Sequence, residues 1–503
     1  MTKPDETVPR DGEGAGLLGW FLRGLALSPD GVALRVGRAV RTYRELDLSA
    51  RTVAGELLDR SPGTTRVGVL AHHSEQAYSG FLAGLYAGAA VVPLQPDFPA
   101  ERLRAMISAA AVTALVVDDA GAERLDELAE VLDGIAVVEA ATGAASPVAG
   151  PPPAVADRPA YIMFTSGSTG RPKGVPISHA NIGHYLSVVH EQFGFTADDV
   201  FSQANSLTFD LALFDMFAAW GCGGTLVAVP AGAYVRLADF ITRHRLTVWF
   251  SAPSVIATAR RTGSLKGGAL PTLRRSLFCG EPLMVDDAEA WLEAADLSAL
   301  HNLYGPTELT VSCATHTWDP AASRAAAVNG IVPIGRLHAG LRHVLFAPDG
   351  GPPETGELCV SGPQMLGGYL DPADDEGRFL HVDGERWYRT GDVVRRLPDG
   401  EFCYLRRDDQ QVNIGGVRIE LREVEYALRR CTGVDGAVVL AVDGVLLAYV
   451  TGGGDPAPLR EQLVGILPKA LIPRRIERVE ALPLNGNGKI DRRALTERAA
   501  QNA

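Results

Sequence analysis

Along the first part of the chain, apolar runs rich in β-branched residues alternate with stretches rich in Ala, Leu and Arg. From residue 66 to residue 119 the order is RVGVLA, QAYSGFLAGLYAGA, AVVPL, ERLRAMISAA and ALVVDD. Three predicted strands are thus separated by two predicted helices, and this repeated order is typical of parallel sheets covered by helices. The pattern predicts an α/β fold. An Ala/Pro-rich segment at 141–159 predicts an exposed connector.

The pattern changes near residue 405, after LPDGEFCYLRRDDQQVNIGG. A helix rich in Arg and Glu is predicted from Glu420 to Arg430, followed at 437–450 by two alternating apolar strands joined by Asp-Gly. An Asp-Gly pair between two such strands is a strong hairpin signal. We expect a large domain over residues 1–406 and a small α+β domain over residues 407–503, hinged around 406–410.

Composition narrows the class of protein. The chain has 503 residues, 46% of them apolar and 21% charged, which is typical of a globular protein. A formal net charge of −13 argues against nucleic acid or an anionic membrane as the partner, because such surfaces attract a basic excess. The polar N-terminus and the absence of a long apolar segment predict a cytoplasmic protein. The six cysteines show no CxxC spacing, so neither a disulfide framework nor a zinc site is expected at Cys222, Cys279, Cys313, Cys359, Cys403 or Cys431.

The segment YIMFTSGSTGRPKGV, at Tyr161–Val175, carries the first candidate chemistry. An apolar strand runs directly into a loop whose glycines permit close backbone approach to a ligand. Four hydroxyl side chains lie beside the single lysine, Lys173, so neutral donors and one cation can surround phosphate oxygens. The loop lacks the GK[ST] ending of a Walker loop. It therefore predicts a phosphate-binding loop of another class.

With these residues the chain resembles the adenylate-forming enzymes, which include acyl-CoA synthetases, luciferases and the adenylation domains of nonribosomal peptide synthesis. The resemblance implies two αβα subdomains plus a small β-barrel, followed by a small mobile α+β domain. Eight further motifs follow in that family's order: RTYREL (41–46), LAGLYAGAAVVPLQPDFPAERL (82–103), FDLALFDMF (209–217), NLYGPTE (302–308), GELCVSGPQMLGGYL (356–370), WYRTGDVVRRLPDG (387–400), VNIGGVRIELREVE (412–425) and NGNGKIDRR (485–493).

The resemblance implies ATP and Mg²⁺ as cofactors, because the site joins a carboxylate to the α-phosphate and must offset the triphosphate charge. Glu308 is the implied metal ligand, and the implied catalytic residues are Lys489, Lys173 and Glu308. Tyr304 is expected near the adenine, Asp392 at the ribose hydroxyls, and Arg407 at the ribose or phosphate. The full nucleotide set is Thr165, Ser166, Gly167, Ser168, Thr169, Gly170, Lys173, Asn302, Tyr304, Gly305, Thr307, Asp392, Arg407 and Lys489.

The family's small domain rotates after the adenylate forms, so that the face around VNIGGVRIE replaces the Lys489 loop and a thiol attacks. Asp409 matches the family's hinge aspartate. Two positions depart from the pattern: Asn413 stands where a lysine is frequent, and Gly415 where an arginine is frequent. Both departures lie in the face that the family uses in the thiol-transfer state.

Asp210, in TFDLALFDMF, bears on the identity of the acid. One alternative is a helix N-cap. In amino-acid-activating members the aspartate at this place pairs with the substrate ammonium, and a buried carboxylate in an apolar pocket needs such a cation. We therefore expect an amino acid. The implied substrate-binding residues are Asp210, Leu211, Phe214, Phe250, Leu277, Cys279, Gly280, Leu303, Val311 and Ser312, with Lys489 closing the set.

The remaining pocket residues are bulky or uncharged, so the bound side chain is expected to be small and neutral. The segment FCGEPL around Cys279 resembles alanine-activating ligases, whereas the aliphatic positions resemble prolyl ligases. We place alanine or glycine slightly ahead of L-proline, and all three stay open. An alternative for Cys279 is that its side chain only packs the core.

Only fourteen residues follow Lys489, which predicts a freestanding enzyme that loads a discrete acyl or peptidyl carrier protein in natural-product biosynthesis. Because carrier proteins are generally acidic, Arg422, Arg429 and Arg430 are candidates for a local basic face. Two other classes stay open. One is an acyl-CoA ligase for a small carboxylic acid, and the other is a catalytically silent nucleotide-binding regulator.

Overall fold

The structure of the chain is a computed structural model. It describes residues 16–139, 145–167, 171–347, 350, 352, 354–407, 411–453, 457–483 and 490–501, with the side chains of 493, 500 and 501 left out.

The described residues form strands in the following order: β1 Val32–Val36, β2 Ala39–Thr42, β3 Arg66–Leu70, β4 Ala90–Leu94, β5 Ala114–Val117, β6 Ala136–Glu139, β7 Pro159–Thr165, β8 Lys173–Ser178, β9 Val200–Gln203, β10 Thr225–Ala228, β11 Val248–Ser251, β12 Arg275–Phe278, β13 Ala299–Tyr304, β14 Ala314–Thr317, β15 Arg336–Leu337, β16 Arg342–Phe346, β17 Thr355–Ser361, β18 Phe379–Val382, β19 Glu385–Arg396, β20 Phe402–Arg407, β21 Gln411–Ile414, β22 Val417–Glu420, β23 Gly436–Val442, β24 Val445–Thr451 and β25 Arg475–Arg478.

The helices of the same residues are α1 Gly16–Leu27, α2 Tyr43–Arg60, α3 Glu75–Tyr86, α4 Ala100–Ala109, α5 Asp119–Ala122, α6 Leu125–Leu128, α7 His179–Phe193, α8 Leu211–Gly221, α9 Leu237–His244, α10 Ser254–Arg261, α11 Val285–Ala294, α12 Pro320–Ala326, α13 Leu421–Arg430, α14 Ala457–Val464 and α15 Arg492–Gln501. Short 3₁₀ turns lie at Ala129–Val131, Ala231–Arg236, Thr307–Leu309, Pro372–Asp375 and Lys469–Leu471.

The first sheet has the strand order β6-β5-β3-β4-β7-β8. Its strands β3, β4 and β5 pair in parallel, and helices α3 and α4 connect them. The pattern predicted between residues 66 and 119 is therefore confirmed. The edge strand β8 pairs with β7 in the antiparallel direction, with Thr165 opposite Lys173, because the short connection between them can only reverse the chain.

The second sheet has the order β15-β14-β13-β12-β11-β9-β10-β1-β2. Its central strands are parallel, whereas β13, β14 and β15 pair antiparallel at one edge and β1 with β2 at the other. Both sheets are thus mixed, which differs from the parallel sheets that the pattern predicted. The antiparallel pairs β1–β2 and β7–β8 are joined by connections too short for a helical crossover, whereas helix α12 lies between β14 and β15.

The main core lies between these two sheets, where helices α1, α2, α3, α7 and α8 form a shared layer. Aromatic rings interlock there: the rings of Phe21 and Trp220 meet edge to face at 5.4 Å, and those of Phe81 and Phe217 lie 5.9 Å apart. Separate apolar clusters cover the outer face of each sheet, against α4 on the first and α9 to α11 on the second. The large domain is therefore an αβα pair that shares its middle layer.

Strands β16 to β20 form an antiparallel sheet at the place where the resemblance implies a small barrel. The small domain follows, with the β21–β22 hairpin, the sheet β23-β24-β25 and helices α13 to α15. The predicted hairpin is confirmed: Val442 pairs with Val445 across Asp443 and Gly444, whose φ angles are 50° and 72°. Among the described residues, no helix combines the length and the apolar character needed to cross a membrane. The six cysteines are buried and unpaired.

Candidate active site

A cavity of about 1170 Å³ opens between the large domain and the small domain. Its large-domain wall is built at the carboxyl ends of β7, β9, β12 and β13, and in open α/β sheets this edge is where ligands bind. The predicted site residues in the cavity wall are Thr165, Ser166, Asp210, Leu211, Gly280, Asn302, Leu303, Tyr304, Gly305, Thr307, Asp392 and Arg407.

Asp392 is held between two partners at one end of the cavity. The Tyr304 hydroxyl donates to its Oδ2 at 2.6 Å, and Arg407 Nη1 donates to its Oδ1 at 2.8 Å. Burial and the nearby Asp392 carboxylate raise the pKa of Tyr304 well above its usual value, so Tyr304 stays a neutral donor. A carboxylate of this kind can accept vicinal hydroxyls, the role that the sequence predicted at Asp392.

Two other predicted nucleotide residues shape the wall. The Asn302 amide donates to the Pro333 carbonyl at 2.9 Å, which ties β13 to the segment that precedes β15. A Cβ added at Gly305 would lie 2.6 Å from the Cα of Ser312, so only glycine permits this close approach of two chain segments.

Glu308 is a buried carboxylate with 2% of its surface exposed. Tyr369 donates its hydroxyl to Oε1 at 2.6 Å, and Arg418 of the small domain donates to Oε2 at 2.7 Å. Burial favours the neutral form, but Arg418 and the Tyr369 hydrogen bond outweigh it and lower the pKa of Glu308 to about 2. Glu308 is thus ionised and buried, and its cation comes from another domain. When Arg418 is withdrawn, such a carboxylate suits a divalent ion.

The start of the phosphate-binding loop also contacts the small domain. Ser166 Oγ donates to the Arg418 carbonyl at 2.8 Å and accepts the Glu420 amide at 3.0 Å. The Gly167 amide donates to Glu423 Oε2 at 3.2 Å, and Arg102 forms a 2.5 Å ion pair with Oε1 of the same carboxylate. In this arrangement, residues predicted to bind phosphate instead hold the small domain.

The tip of the β21–β22 hairpin lies against the large domain. The Gly416 amide donates to Glu281 Oε1 at 3.0 Å. Gly415 and Gly416 have φ angles of 60° and 78°, which a two-residue turn of this type requires. The turn therefore explains why a glycine stands at position 415, where an arginine is frequent in the family. Asn413 lines the cavity.

Lys173 lies beside the cavity rather than in its wall. Its side chain is 8% exposed, and its Nζ is 3.4 Å from Asp374 Oδ1. The ammonium also lies 5.7 Å from the centre of the Tyr369 ring. The predicted phosphate-binding cation therefore has a carboxylate partner within the large domain.

Asp210 stands at the start of α8 but makes no capping hydrogen bond, so the N-cap alternative is wrong. The residue is 6% exposed, and among the described residues nothing donates to its Oδ2. Burial raises the pKa of Asp210 to about 6, although hydrogen bonds from Thr307 and the Val311 amide act in the opposite direction. A buried carboxylate with one unpaired oxygen provides a site for a cationic group.

Seven of the other predicted substrate residues belong to the main apolar cluster, and Gly280 and Ser312 are the exceptions. Leu211, Leu303 and Gly280 form the visible wall. Six others lie behind that wall with at most 1% of their surface exposed: Phe214, Phe250, Leu277, Cys279, Val311 and Ser312. The Phe214 and Phe250 rings meet edge to face at 4.7 Å, so bulky side chains fill the interior behind the wall.

A strained turn next to this wall was not predicted. Thr310 and Val311 have φ angles of 61° and 66°, a region that β-branched residues rarely adopt. The buried Gln364 amide holds the turn through the carbonyls of Leu309 and Ser312, at 3.0 and 2.7 Å. Gln364, Tyr369 and Arg418 all lie inside motifs quoted from the sequence. Membership of these motifs is the sequence signal that could have identified them as functional residues.

Several predicted residues lie outside the described part of the chain: Ser168, Thr169, Gly170, Asp409 and Lys489. Of the three arginines suggested for a carrier-facing surface, Arg430 instead pairs with Glu101 of the large domain at 3.1 Å. Arg422 and Arg429 are exposed on α13.

Comparison with known proteins gives a consistent result. The family described as AMP-binding enzyme matches residues 22–370. An L-proline--[L-prolyl-carrier protein] ligase of Pseudomonas fluorescens is 32% identical and covers 94% of this chain and 97% of its own length. The phosphinothricin tripeptide synthetase PhsC of Streptomyces viridochromogenes is 36% identical over 94% of this chain. The chain spans only 44% of PhsC and 6% of another matched peptide synthetase.

Solved structures agree with the fold. IdnL7 is 46% identical, with a TM-score of 0.75 over 97% of this chain and 99% of its own. The adenylation domain AlmE of Vibrio cholerae, solved in complex with glycyl-adenosine-5'-phosphate, is 28% identical with a TM-score of 0.84 over 100% of both chains. These matches share the architecture of a large N-terminal and a small C-terminal domain.

The raised pKa of Asp210 predicts an effect on stability. Because the pKa rises from 3.8 to about 6 in the folded state, folding takes up a proton between these values, and stability falls as the pH rises through that window. The full effect is about 3 kcal/mol above pH 6. Asp210→Asn should therefore raise the ligand-free unfolding free energy by about 2–3 kcal/mol at pH 8, measured by denaturant unfolding.

The gain should shrink towards pH 4, where Asp210 is protonated. Asp198→Asn, at an exposed position, is the control and should change stability little. Equal stability of Asp210→Asn and the wild-type protein at pH 8 would contradict the account.

Proposed function

Because the chain belongs to the AMP-binding enzyme family, we propose that it is an amino acid–carrier protein ligase. Enzymes of this family use ATP. The proposed reaction activates a small neutral amino acid as the aminoacyl-AMP and releases pyrophosphate. The aminoacyl group then passes to the phosphopantetheine thiol of a discrete carrier protein.

The observation that carries the proposal is the unpaired oxygen of Asp210 in the cavity wall. A fatty or aryl acid would leave this carboxylate buried without a cation, which is unfavourable. The α-ammonium of an amino acid supplies the missing cation and restores the ionised form of Asp210. This favours an amino acid ligase over an acyl-CoA ligase.

The filled wall supports a very small side chain. Leu211 and Leu303 line the cavity together with Asp210, and the Phe214–Phe250 pair packs in the same apolar cluster as these leucines. We therefore favour glycine or alanine over proline. The glycyl adenylate bound by AlmE agrees with this choice, whereas the name of the Pseudomonas fluorescens ligase points to proline.

In the first half-reaction, Asp392 would accept the ribose hydroxyls, with Tyr304 and Arg407 as its present partners. Glu308 would hold Mg²⁺, which when bound offsets the charge of the triphosphate. Lys173 would contact the outer phosphates, and Lys489 would contact the carboxylate and the α-phosphate. Asp210 fixes the amino end, so that the substrate carboxylate faces the nucleotide.

In the second half-reaction, a thiol must reach the adenylate. The docked β21–β22 hairpin, with Arg418 on Glu308 and Ser166 bound to the small domain, suits this later step, because the groups expected to hold Mg²⁺ and phosphate are engaged elsewhere. We propose residues 1–406 as the adenylating core and residues 407–503 as the lid that carries this change, with Asp409 at the hinge.

ATP–pyrophosphate exchange over all proteinogenic amino acids tests the function. We expect strong exchange with glycine or alanine, weaker exchange with proline, and none with acetate, butyrate or benzoate. Asp210→Asn should lower kcat/KM for the amino acid about 100-fold, the size of effect expected for a buried charge pair. Exchange driven by the simple acids would instead identify an acyl-CoA ligase, and no exchange with any acid would favour a silent nucleotide-binding protein.

Phe250→Ala should widen the substrate preference, because it removes one ring of the pair that fills the wall. Exchange with valine or leucine should rise, while kcat/KM for the small amino acid falls about tenfold. Phe278→Ala is the matched control, since this buried ring lies in the cluster on the other face of the same sheet. An unchanged substrate profile for Phe250→Ala would show that the wall does not set side-chain size.

Arg418→Gln separates the two half-reactions. Loss of Arg418 leaves Glu308 buried without its cation in the docked state, a change of about 3–5 kcal/mol for buried pairs. Transfer to a carrier should slow at least about tenfold, while pyrophosphate exchange changes less than about threefold. Arg474→Gln, at an exposed position of the small domain outside the cavity wall, should alter neither rate. Equal slowing of both half-reactions by Arg418→Gln would refute the assignment of this orientation to transfer.

A further inference from the structure

The two cations that close the phosphate-binding loop share one carboxylate. Arg171 Nη2 lies 3.2 Å from Asp374 Oδ1, and Lys173 Nζ lies 3.4 Å from the same oxygen. Arg171 also reaches the exposed Asp371 at 2.8 Å. Asp374 stands on the short turn Pro372–Asp375, about 200 residues further along the chain.

This contact is buried and firmly placed. The side chains of Asp374 and Lys173 are 4% and 8% exposed, so solvent screens their attraction little. The Leu370 amide donates to the Gly174 carbonyl at 3.0 Å, and a Cβ added at Gly174 would meet the Leu370 side chain at 2.4 Å. The segment that carries Asp374 is therefore packed directly against strand β8.

The carboxylate is not fully satisfied. Within the described residues no group hydrogen-bonds to Asp374 Oδ2. Burying a carboxylate with one unpaired oxygen is unfavourable unless cations lie beside it, as Lys173 and Arg171 do here. The negative charge of Asp374 is thus offset by Lys173 and Arg171, and Asp374 in turn offsets part of their positive charge.

Lys173 would have to change partner for phosphate to reach it. Its register partner Thr165 lines the cavity, whereas the Lys173 ammonium is directed to Asp374 and the Tyr369 ring. Two anions that need the same ammonium compete for it, and each lowers the apparent affinity of the other.

We propose that Asp374 is a positioning residue, which holds Lys173 and Arg171 when no polyphosphate is bound and competes with polyphosphate for them. The inference rests on the proposed function, in which Lys173 contacts the outer phosphates of ATP. Asp374 weakens the binding of ATP and pyrophosphate, and it takes the cations back when pyrophosphate leaves.

The test is direct binding of Mg-ATP, and separately of Mg-pyrophosphate, by calorimetry in the absence of amino acid. Asp374→Asn removes the competing charge and should tighten both ligands about tenfold, with a larger ligand-induced rise in Tm. Asp374→Glu keeps the charge and should stay within about twofold of the wild-type affinity. Glu376→Gln, at an exposed position next to the same turn, should do the same.

A double-mutant cycle with Lys173→Ala completes the test. Lys173→Ala should weaken ATP binding, and adding Asp374→Asn in that background should tighten it at most about twofold. Equal or weaker ATP binding by Asp374→Asn overturns the inference, as does a full tightening that persists without Lys173. Asp374→Ser replaces the Asn variant if the latter does not fold. Failure of wild-type protein to bind ATP would count against the proposed function instead.

Discussion

The ion pair between Arg418 and Glu308 determines how the two domains meet. Glu308 lies in the wall of the large domain at 2% exposure, where an unpaired carboxylate would be strongly unfavourable. Arg418 supplies the cation at 2.7 Å from the β21–β22 hairpin. Further interdomain contacts lie beside this pair, where the Gly416 amide reaches Glu281 and the backbone around Arg418 reaches Ser166. A second buried pair, Arg102–Glu423, also joins the two domains, so buried charges fix the orientation of about one hundred residues.

The same principle applies across the candidate site, where groups suited to ATP already have internal partners. Asp392 is held by Tyr304 and Arg407, and the Gly167 amide is held by Glu423. A site prepared in this way keeps its buried charges neutralised without a ligand. Each ligand group must then replace an existing contact, so binding is an exchange of partners and its free energy is a difference between two good contacts.

Local features of the sequence predicted the fold better than they predicted these partners. Strands β3, β4 and β5 were predictable because they are apolar throughout, and the β23–β24 hairpin because Asp443-Gly444 fits its turn. Family motifs placed twelve site residues in one cavity wall. The pairs Arg418–Glu308 and Lys173–Asp374 join residues 110 and about 200 positions apart, and no periodicity encodes such a contact. Strand β8 was missed because Pro172 and Gly174 suggest a turn, not an edge strand.

The end of the cavity at Asp210 combines two unfavourable features in one wall. Burial raises the pKa of Asp210, and Thr310 with Val311 holds a backbone conformation worth about 1–3 kcal/mol per residue in strain. The buried Gln364 amide and the packed Phe214–Phe250 pair keep this wall in place. A wall that cannot relax keeps the Asp210 carboxylate at a fixed place. Under the proposed function, selectivity for an ammonium-bearing substrate would arise because only such a molecule removes the unfavourable charge burial.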